Sequence, residues 1–187
     1  MSREDENIGP LTGVRVLDLT INVLGPVATQ ILGDLGAEVI KVETPSGDPM
    51  RLIGSSKTGM LGPFFQTTNR NKKSVVLDLK KIEEKNALLK IAGGCDVFVH
   101  NMRQAATERL GIDYKNLRKA APNIIYASAT GYRRNSPKDG RPAYDDVIQG
   151  ESGLVDLIDK TNGEARFVPM PILSLIHISE PTRPERI

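Results

Sequence analysis

Residues 14–43, VRVLDLTINVLGPVATQILGDLGAEVIKVE, decide the fold, because they read as strand, turn, helix and second strand in one short span. Val14, Val16, Leu17 and Leu19 form a β-rich apolar run. Gly25 and Pro26 punctuate a turn, and Val27, Ile31, Leu32 and Leu35 recur at helical spacing until Gly36 ends the helix. Val39, Ile40 and Val42 make the next strand. A strand, helix and strand of this length form a βαβ unit, which requires a parallel sheet. Open parallel sheets take ligands beyond the carboxyl ends of their strands, so residues 20–25 and 43–48 are the first places to look for chemistry.

Outward from this unit the alternation continues. Residues 45–62 are rich in Gly, Ser, Pro and Met without a period and read as a loop. Ser74–Leu79 reads as a third strand, and Ile82, Leu88, Leu89 and Ala92 share one helical face that Gly93 and Gly94 close. Val97–Val99 reads as a fourth strand. Residues 105–110 and 113–121 look helical, with Asp113 as N-cap, and Ile124–Thr130 reads as a fifth strand. Strands separated by helices predict an α/β fold with a doubly wound parallel sheet. Residues 131–142 are polar and turn-rich, and 144–158 form a mixed helical segment carrying Gly150 and Gly153, the start of a layer that is not completed.

At 187 residues and 39% hydrophobic content, the chain suits one α/β domain. A net charge of +2 with 26% charged residues argues against a nucleic-acid partner, although local basic clusters could hold phosphates. Cys95 is the single cysteine and cannot form an internal disulfide. The opening MSREDENIGP lacks a signal-peptide layout, and no apolar run approaches the roughly 20 residues of a membrane span, so a cytoplasmic protein with no membrane partner is expected.

Glu43, ending the second strand, is where an acid would meet the ribose of a nicotinamide dinucleotide, but the fingerprint fails: the turn Asn22–Pro26 has one glycine in place of three. Arg70, Lys72, Lys73, Lys80 and Lys81 flank the third strand. They read equally as a solvated flank that suppresses aggregation and as an attractor for a phosphorylated ligand. His100, Asn101, Met102 and Arg103 end the fourth strand, with Arg109 beyond. Two arginines there suit a phosphate or carboxylate, or simply pair with acids. No metal or catalytic triad is predicted: His100 and His177 are far apart, Cys95 reads as a packed thiol, and Ser152-Gly153 lacks the nucleophile-elbow pattern. Asp145 and Asp146 read as an acid pair or as residues that start a helix.

The blocks GVRVLDLTINVLGPVATQILGDLGAEVIKVE, GDPMR, NRNKKSVVLDLK, DVFVHNMRQAATERLGI, IYASATGY and GRPAYDDVIQGESGL together resemble the N-terminal part of the family III CoA-transferases, from about Leu11 to Ile172. The resemblance implies a Rossmann-like large domain, incomplete in this chain, and an interlocked homodimer. It implies transfer of coenzyme A from an acyl-CoA thioester to a carboxylic acid through an aspartyl-CoA intermediate, with CoA and acyl-CoA as substrates and no metal. By position it places CoA contacts at Val23 and Leu24, at Thr44, where some members carry arginine, and at Leu77, Asp78, Leu79 and Lys80. Further contacts fall at Asn101, Met102 and Arg103, at Arg109, and at Pro142, Ala143, Tyr144 and Asp145, with Tyr144 an active-site hydrogen bonder. A racemase branch acting on 2-methylacyl-CoA is the alternative, but it uses a histidine base where this chain has Tyr144. A non-catalytic CoA-binding or nucleotide-binding module is the other.

The family's nucleophilic aspartate is expected just after Ile172, and here Leu173 and Ser174 follow instead. The segment 174–184, SLIHISEPTRP, resembles translated sequencing-adapter read-through. The expectation is therefore a CoA-binding domain over 1–172, a foreign or disordered tail over 173–187, and a fragment without activity.

Overall fold

A computed structural model describes residues 9–56, 59–133 and 135–169. They belong to two compact units, divided between Ala129 and Thr130.

The first unit holds one sheet of five parallel strands in the order β3-β2-β1-β4-β5. Its strands are β1 (Arg15–Leu19), β2 (Glu38–Glu43), β3 (Lys72–Val76), β4 (Val97–His100) and β5 (Ile125–Ser128). The helices are α1 (Leu24–Asp34), α2 (Pro63–Thr68), α3 (Ile82–Ala92), α4 (Gln104–Leu110) and α5 (Tyr114–Ala120). Side chains alternate across a strand, so the sheet has two inner faces. Leu17, Leu19, Val42 and Phe98 pack with Leu88 and Ala92 of α3 and Leu117 of α5. On the reverse face Val16, Val39 and Val99 pack with Leu32 of α1. The chain has an α/β fold with helices on both faces, as its alternation predicts.

Several local expectations are corrected. Gly25 and Pro26 lie in the first turn of α1 and not in a turn before it. Proline is accommodated there because the missing N–H would have no intrahelical partner. Gly25 is required by proximity, since a Cβ at that position would lie 2.3 Å from the Thr20 Cβ. The buried face of α1 is Gly25, Pro26, Thr29, Gln30 and Gly33, whereas Ile31 and Leu35 are 44% and 40% exposed. The third strand begins at Lys72 and ends at Val76, two to three residues earlier than the apolar run SVVLDL predicts. Leu77 still donates its N–H to the Glu43 carbonyl at 2.9 Å, after which residues 78–81 turn into α3. Within the predicted loop 45–62, Pro49–Leu52 form a 3₁₀ turn that the Asp48 carboxylate caps by accepting from the Met50 N–H. Asp113 caps α5 as expected, accepting from Asn116 N–H at 3.3 Å.

In the second unit the predicted helical segment is two helices, α6 (Asp145–Glu151) and α7 (Leu154–Asn162). They part at Gly153, whose φ of 78° is a left-handed conformation that glycine adopts without strain. Asp145 and Asp146 occupy the first turn of α6, where carboxylates meet the positive end of the helix.

Candidate functional site

Because all five strands run parallel, their carboxyl ends share one edge, and the loops leaving it follow the sheet order. Leu77, Asp78, Leu79 and Lys80 leave β3, Thr44 leaves β2, Val23 and Leu24 are the N-cap and first residue of α1 after β1, and Asn101, Met102 and Arg103 leave β4. Residues named from separate blocks of sequence thus line one edge across four neighbouring strands. Arg109 lies in the last turn of α4, beyond the β4 loop. Lys80, Arg103 and Arg109 are exposed and have no carboxylate within ion-pair distance among the described residues. Pro142, Ala143, Tyr144 and Asp145 belong to the second unit, where Tyr144 is exposed and stands at the N-cap of α6. The aspartate position after Ile172, and His177, lie outside the described residues.

The loop between β1 and α1 is held from both sides. Asn101 accepts from the Ile21 N–H at 3.1 Å and donates its side-chain amide to the Ile21 carbonyl at 2.8 Å. Asn22 has a φ of 69°, a left-handed conformation that asparagine tolerates better than most residues. No side chain caps the start of α1, so its first N–H groups and the positive end of its dipole face the sheet edge, an arrangement that suits an anion.

Beneath these loops lies a buried polar layer that the sequence reading missed. Asp18, Lys41, Glu43 and Lys72 all point to the α1 face of the sheet. Asp18 accepts from Thr20 N–H at 2.8 Å and from the hydroxyls of Thr20 and Thr29 at 2.5 and 2.6 Å. Lys72 reaches Asp18 at 3.1 Å and also donates to the Pro26 carbonyl, Thr29 and Asn69. Lys41 pairs with Asp48 at 2.9 Å and donates to the Thr20 carbonyl at 2.8 Å. Arg51 binds Glu43 through two hydrogen bonds of 2.7 Å and stacks on Phe65 at 3.8 Å. The signal was present as polar residues at alternate positions, Asp18 and Thr20, Lys41 and Glu43, Lys72 and Ser74. Such alternation ordinarily marks a solvated face.

Of the basic run, Lys72 alone belongs to this layer, and Arg70, Lys73 and Lys81 form exposed ion pairs. Lys72 is taken by Asp18, Arg70 by Asp34, Lys73 by Glu38 and Lys81 by Glu84. Lys80 is the member of the run that meets no such partner among the described residues. The reason is tertiary: Asp18, Asp34 and Glu38 are distant in sequence and reach the run only because β3 joins the sheet beside β2.

Titration follows the same geometry. Burial pushes the Lys72 ammonium down to about 8 against the attraction of Asp18. Burial would raise the Glu43 carboxyl, but hydrogen bonds from Arg51, Ser74 and the Asp48 N–H reverse this and bring it to about 2. His100 is buried beside the rings of Phe98 and Tyr126, and burial pushes it down to about 4. Its Nδ1 accepts from Met102 N–H at 3.2 Å, which leaves the proton of the neutral ring on Nε2. That Nε2 has no hydrogen-bond partner among the described residues.

In the second unit Gln149 is 3% exposed and grips the backbone of Val168 in both directions. It accepts from Val168 N–H at 2.7 Å and donates to the Val168 carbonyl at 3.1 Å, while also reaching Asp145 at 2.5 Å. The segment it holds leads toward Ile172.

The family model for CoA-transferase family III matches residues 11–176. The chain belongs to that family. A probable fatty acyl-CoA transferase of Mycobacterium tuberculosis is 42% identical over 166 residues, which cover 88% of this chain and 42% of the relative. The human succinyl-CoA:glutarate CoA-transferase is 42% identical over 159 residues, covering 84% of this chain and 36% of the relative. The chain therefore spans less than half the length of these two relatives. The crystal structure of the mycobacterial protein superposes with a TM-score of 0.82 at 39% identity, covering 91% of this chain and 47% of that one. Its likeness extends the family assignment from sequence to fold.

Proposed function

We propose that this chain is the CoA-holding N-terminal part of an enzyme that moves CoA from an acyl-CoA thioester to a free carboxylic acid. The observation that carries the reading is the gathering of Val23, Leu24, Thr44, Leu77–Lys80 and Asn101–Arg103 at one sheet edge. The uncapped start of α1 and the cations of Lys80, Arg103 and Arg109 suit the phosphates of CoA through charge-assisted hydrogen bonds. In this reading the nucleophile is an aspartate supplied after Ile172 in the natural protein, and its carboxylate attacks the donor thioester to give a mixed anhydride and CoA thiolate. The thiolate then attacks the aspartyl carbonyl, expelling the donor acid and leaving an aspartyl-CoA thioester that the acceptor carboxylate opens by the same steps in reverse. Backbone N–H groups would hold the oxyanion. The working enzyme is a cytoplasmic, interlocked homodimer, and residues 173–187 are not part of its domain. Tyr144, in the place of the racemase histidine, favours transfer over racemisation, because a phenol with a reference pKa of about 10 is a poor base near neutrality.

The test has two arms. The 187-residue chain, incubated with succinyl-CoA and a panel of acids including glutarate, oxalate and carnitine, should give no exchange and no hydroxylamine-sensitive CoA adduct by mass spectrometry. The same gene, resequenced past the Ile172 codon and expressed with its native continuation, should give both. A continuation without an aspartate within a few codons, or α-deuterium incorporation into 2-methylacyl-CoA without CoA exchange, would overturn the reading.

A further inference from the structure

The polar layer beneath α1 is more than a set of neutralised charges. Lys41, Asp48, Asp18 and Lys72 have side chains that are 0–1% exposed. A buried ion pair is seldom more stabilising than apolar side chains of the same volume, so stability is a weak reason for their presence. Their hydrogen bonds to the main chain are more informative. The backbone groups that Lys41 and Asp48 engage lie in the two loops at the sheet edge: Lys41 donates to the Thr20 carbonyl, and Asp48 accepts from Asn22 N–H at 3.3 Å and Met50 N–H at 3.0 Å. Their own 2.9 Å ion pair ties these loops together. Asn22 is also the residue with a φ of 69°, a left-handed conformation in which its N–H is aimed at Asp48. The carboxylate of Asp48 is in turn set by Glu43, which accepts from Asp48 N–H at 3.1 Å.

We infer that Lys41 and Asp48 are positioning residues: neither needs to touch ligand, and together they hold residues 20–24 and the start of α1 in the shape that receives a phosphorylated ligand. The inference rests on the CoA reading for the identity of that ligand. Preorganisation of this kind raises affinity by removing the ordering cost from the binding step.

The experiment uses the 187-residue chain and its Lys41→Met/Asp48→Leu double variant, which removes both charges and leaves neither ion unpaired. Three quantities are read: the melting temperature, amide hydrogen exchange, and CoA affinity by calorimetry. The expected result is a melting temperature within a few degrees of the parent and at least 10-fold faster exchange at Ile21 and Val27, whose N–H groups are hydrogen-bonded to Asn101 and to the Val23 carbonyl. The amides of β4 and α3 should be unchanged, and CoA binding at least 10-fold weaker. Asp48→Asn keeps the side-chain oxygen that accepts from Asn22 and Met50, and should show smaller changes in the same direction. If the double variant does not fold, that single variant decides the matter. Parent-like exchange at Ile21 and Val27, or a loosened loop with unchanged CoA affinity, would overturn the inference. A parent chain that does not bind CoA would sink the CoA reading alone, because the exchange measurement still shows whether the pair holds the loop.

Discussion

On the face covered by α3 and α5, Leu17, Leu19, Val42 and Phe98 meet Leu88, Ala92 and Leu117 in an apolar core. On the face covered by α1, Val16 and Val39 occupy the amino half of the sheet and Asp18, Lys41 and Glu43 the carboxyl half, while Lys72, level with Val39, reaches Asp18 from the amino end of β3. Apolar packing is non-directional and tolerates volume-conserving exchange. A buried hydrogen-bonded network is directional, and every member must be satisfied. The difference separates non-directional packing from a directional layer, and the directional layer lies under the loops that leave the carboxyl ends of β1 and β2.

The sharpest way to break this comparison is to remove one side chain from each kind of face. Asp18→Ala strands the Lys72 ammonium in a sealed site and should destabilise by about 3–5 kcal/mol, read from urea unfolding. Leu88→Ala on the apolar face should lose about 2–4 kcal/mol through a cavity, with no change in the β1 loop. A loss below about 1 kcal/mol for Asp18→Ala would mean that Lys72 reaches water and that the layer is not sealed.

Acid titration sharpens the contrast. The Glu43 carboxyl falls from an ordinary 4.5 to about 2 in the folded chain. As pH drops, the unfolded chain takes up this proton first, so the stabilisation is complete above about 4.5 and is lost as pH falls through about 2. Glu43→Gln should be less stable than the parent at pH 6, and the gap should close toward pH 2. A gap independent of pH would show that the charge of Glu43 is not what Arg51 and Ser74 recognise.

His100 on the opposite face should behave in a related way. Its folded value of about 4 lies below the ordinary 6.5, so between these values the unfolded chain holds a proton that the folded chain refuses, and stability rises with pH. His100→Phe, placed among Phe98 and Tyr126, should remove that slope between pH 4 and 6.5. An unchanged slope would mean that the ring takes up a proton in the folded state near its ordinary value.

The smallest effect on stability is expected at the edge itself. Lys80→Ala should change unfolding free energy by no more than about 0.5 kcal/mol, while weakening CoA more than dephospho-CoA or weakening both, with affinity falling as salt rises. Unchanged affinity for both would return Lys80 to a solvated surface role.

Much of this architecture was legible in the chain. The apolar run at 14–19, the helical spacing before Gly36 and the run at 39–42 required a parallel βαβ unit, and its repetition required the sheet. The edge loops were legible for the same reason, since a parallel sheet leaves its strand ends on one side. The start of β3 was not, because Lys72 and Lys73 look like a flank until Asp18 and Glu38 are beside them. The buried face of α1 was misjudged because its small and polar residues, Gly25, Thr29 and Gly33, pack closest while Ile31 and Leu35 stay partly in water. The grip of Gln149 on Val168 joins residues 19 positions apart and leaves no periodic trace.

By itself, then, the sequence determined the alternation of strand and helix, the parallel sheet with its strand ends gathered on one edge and, through its ordered blocks, the family. Only the tertiary structure decided which lysines are free to meet a ligand and which are consumed inside, and which face of α1 is core. The physical reason is range: periodicity reports each element's own preference within a few residues, whereas the partner that neutralises a buried charge is chosen by strand order and comes from far along the chain.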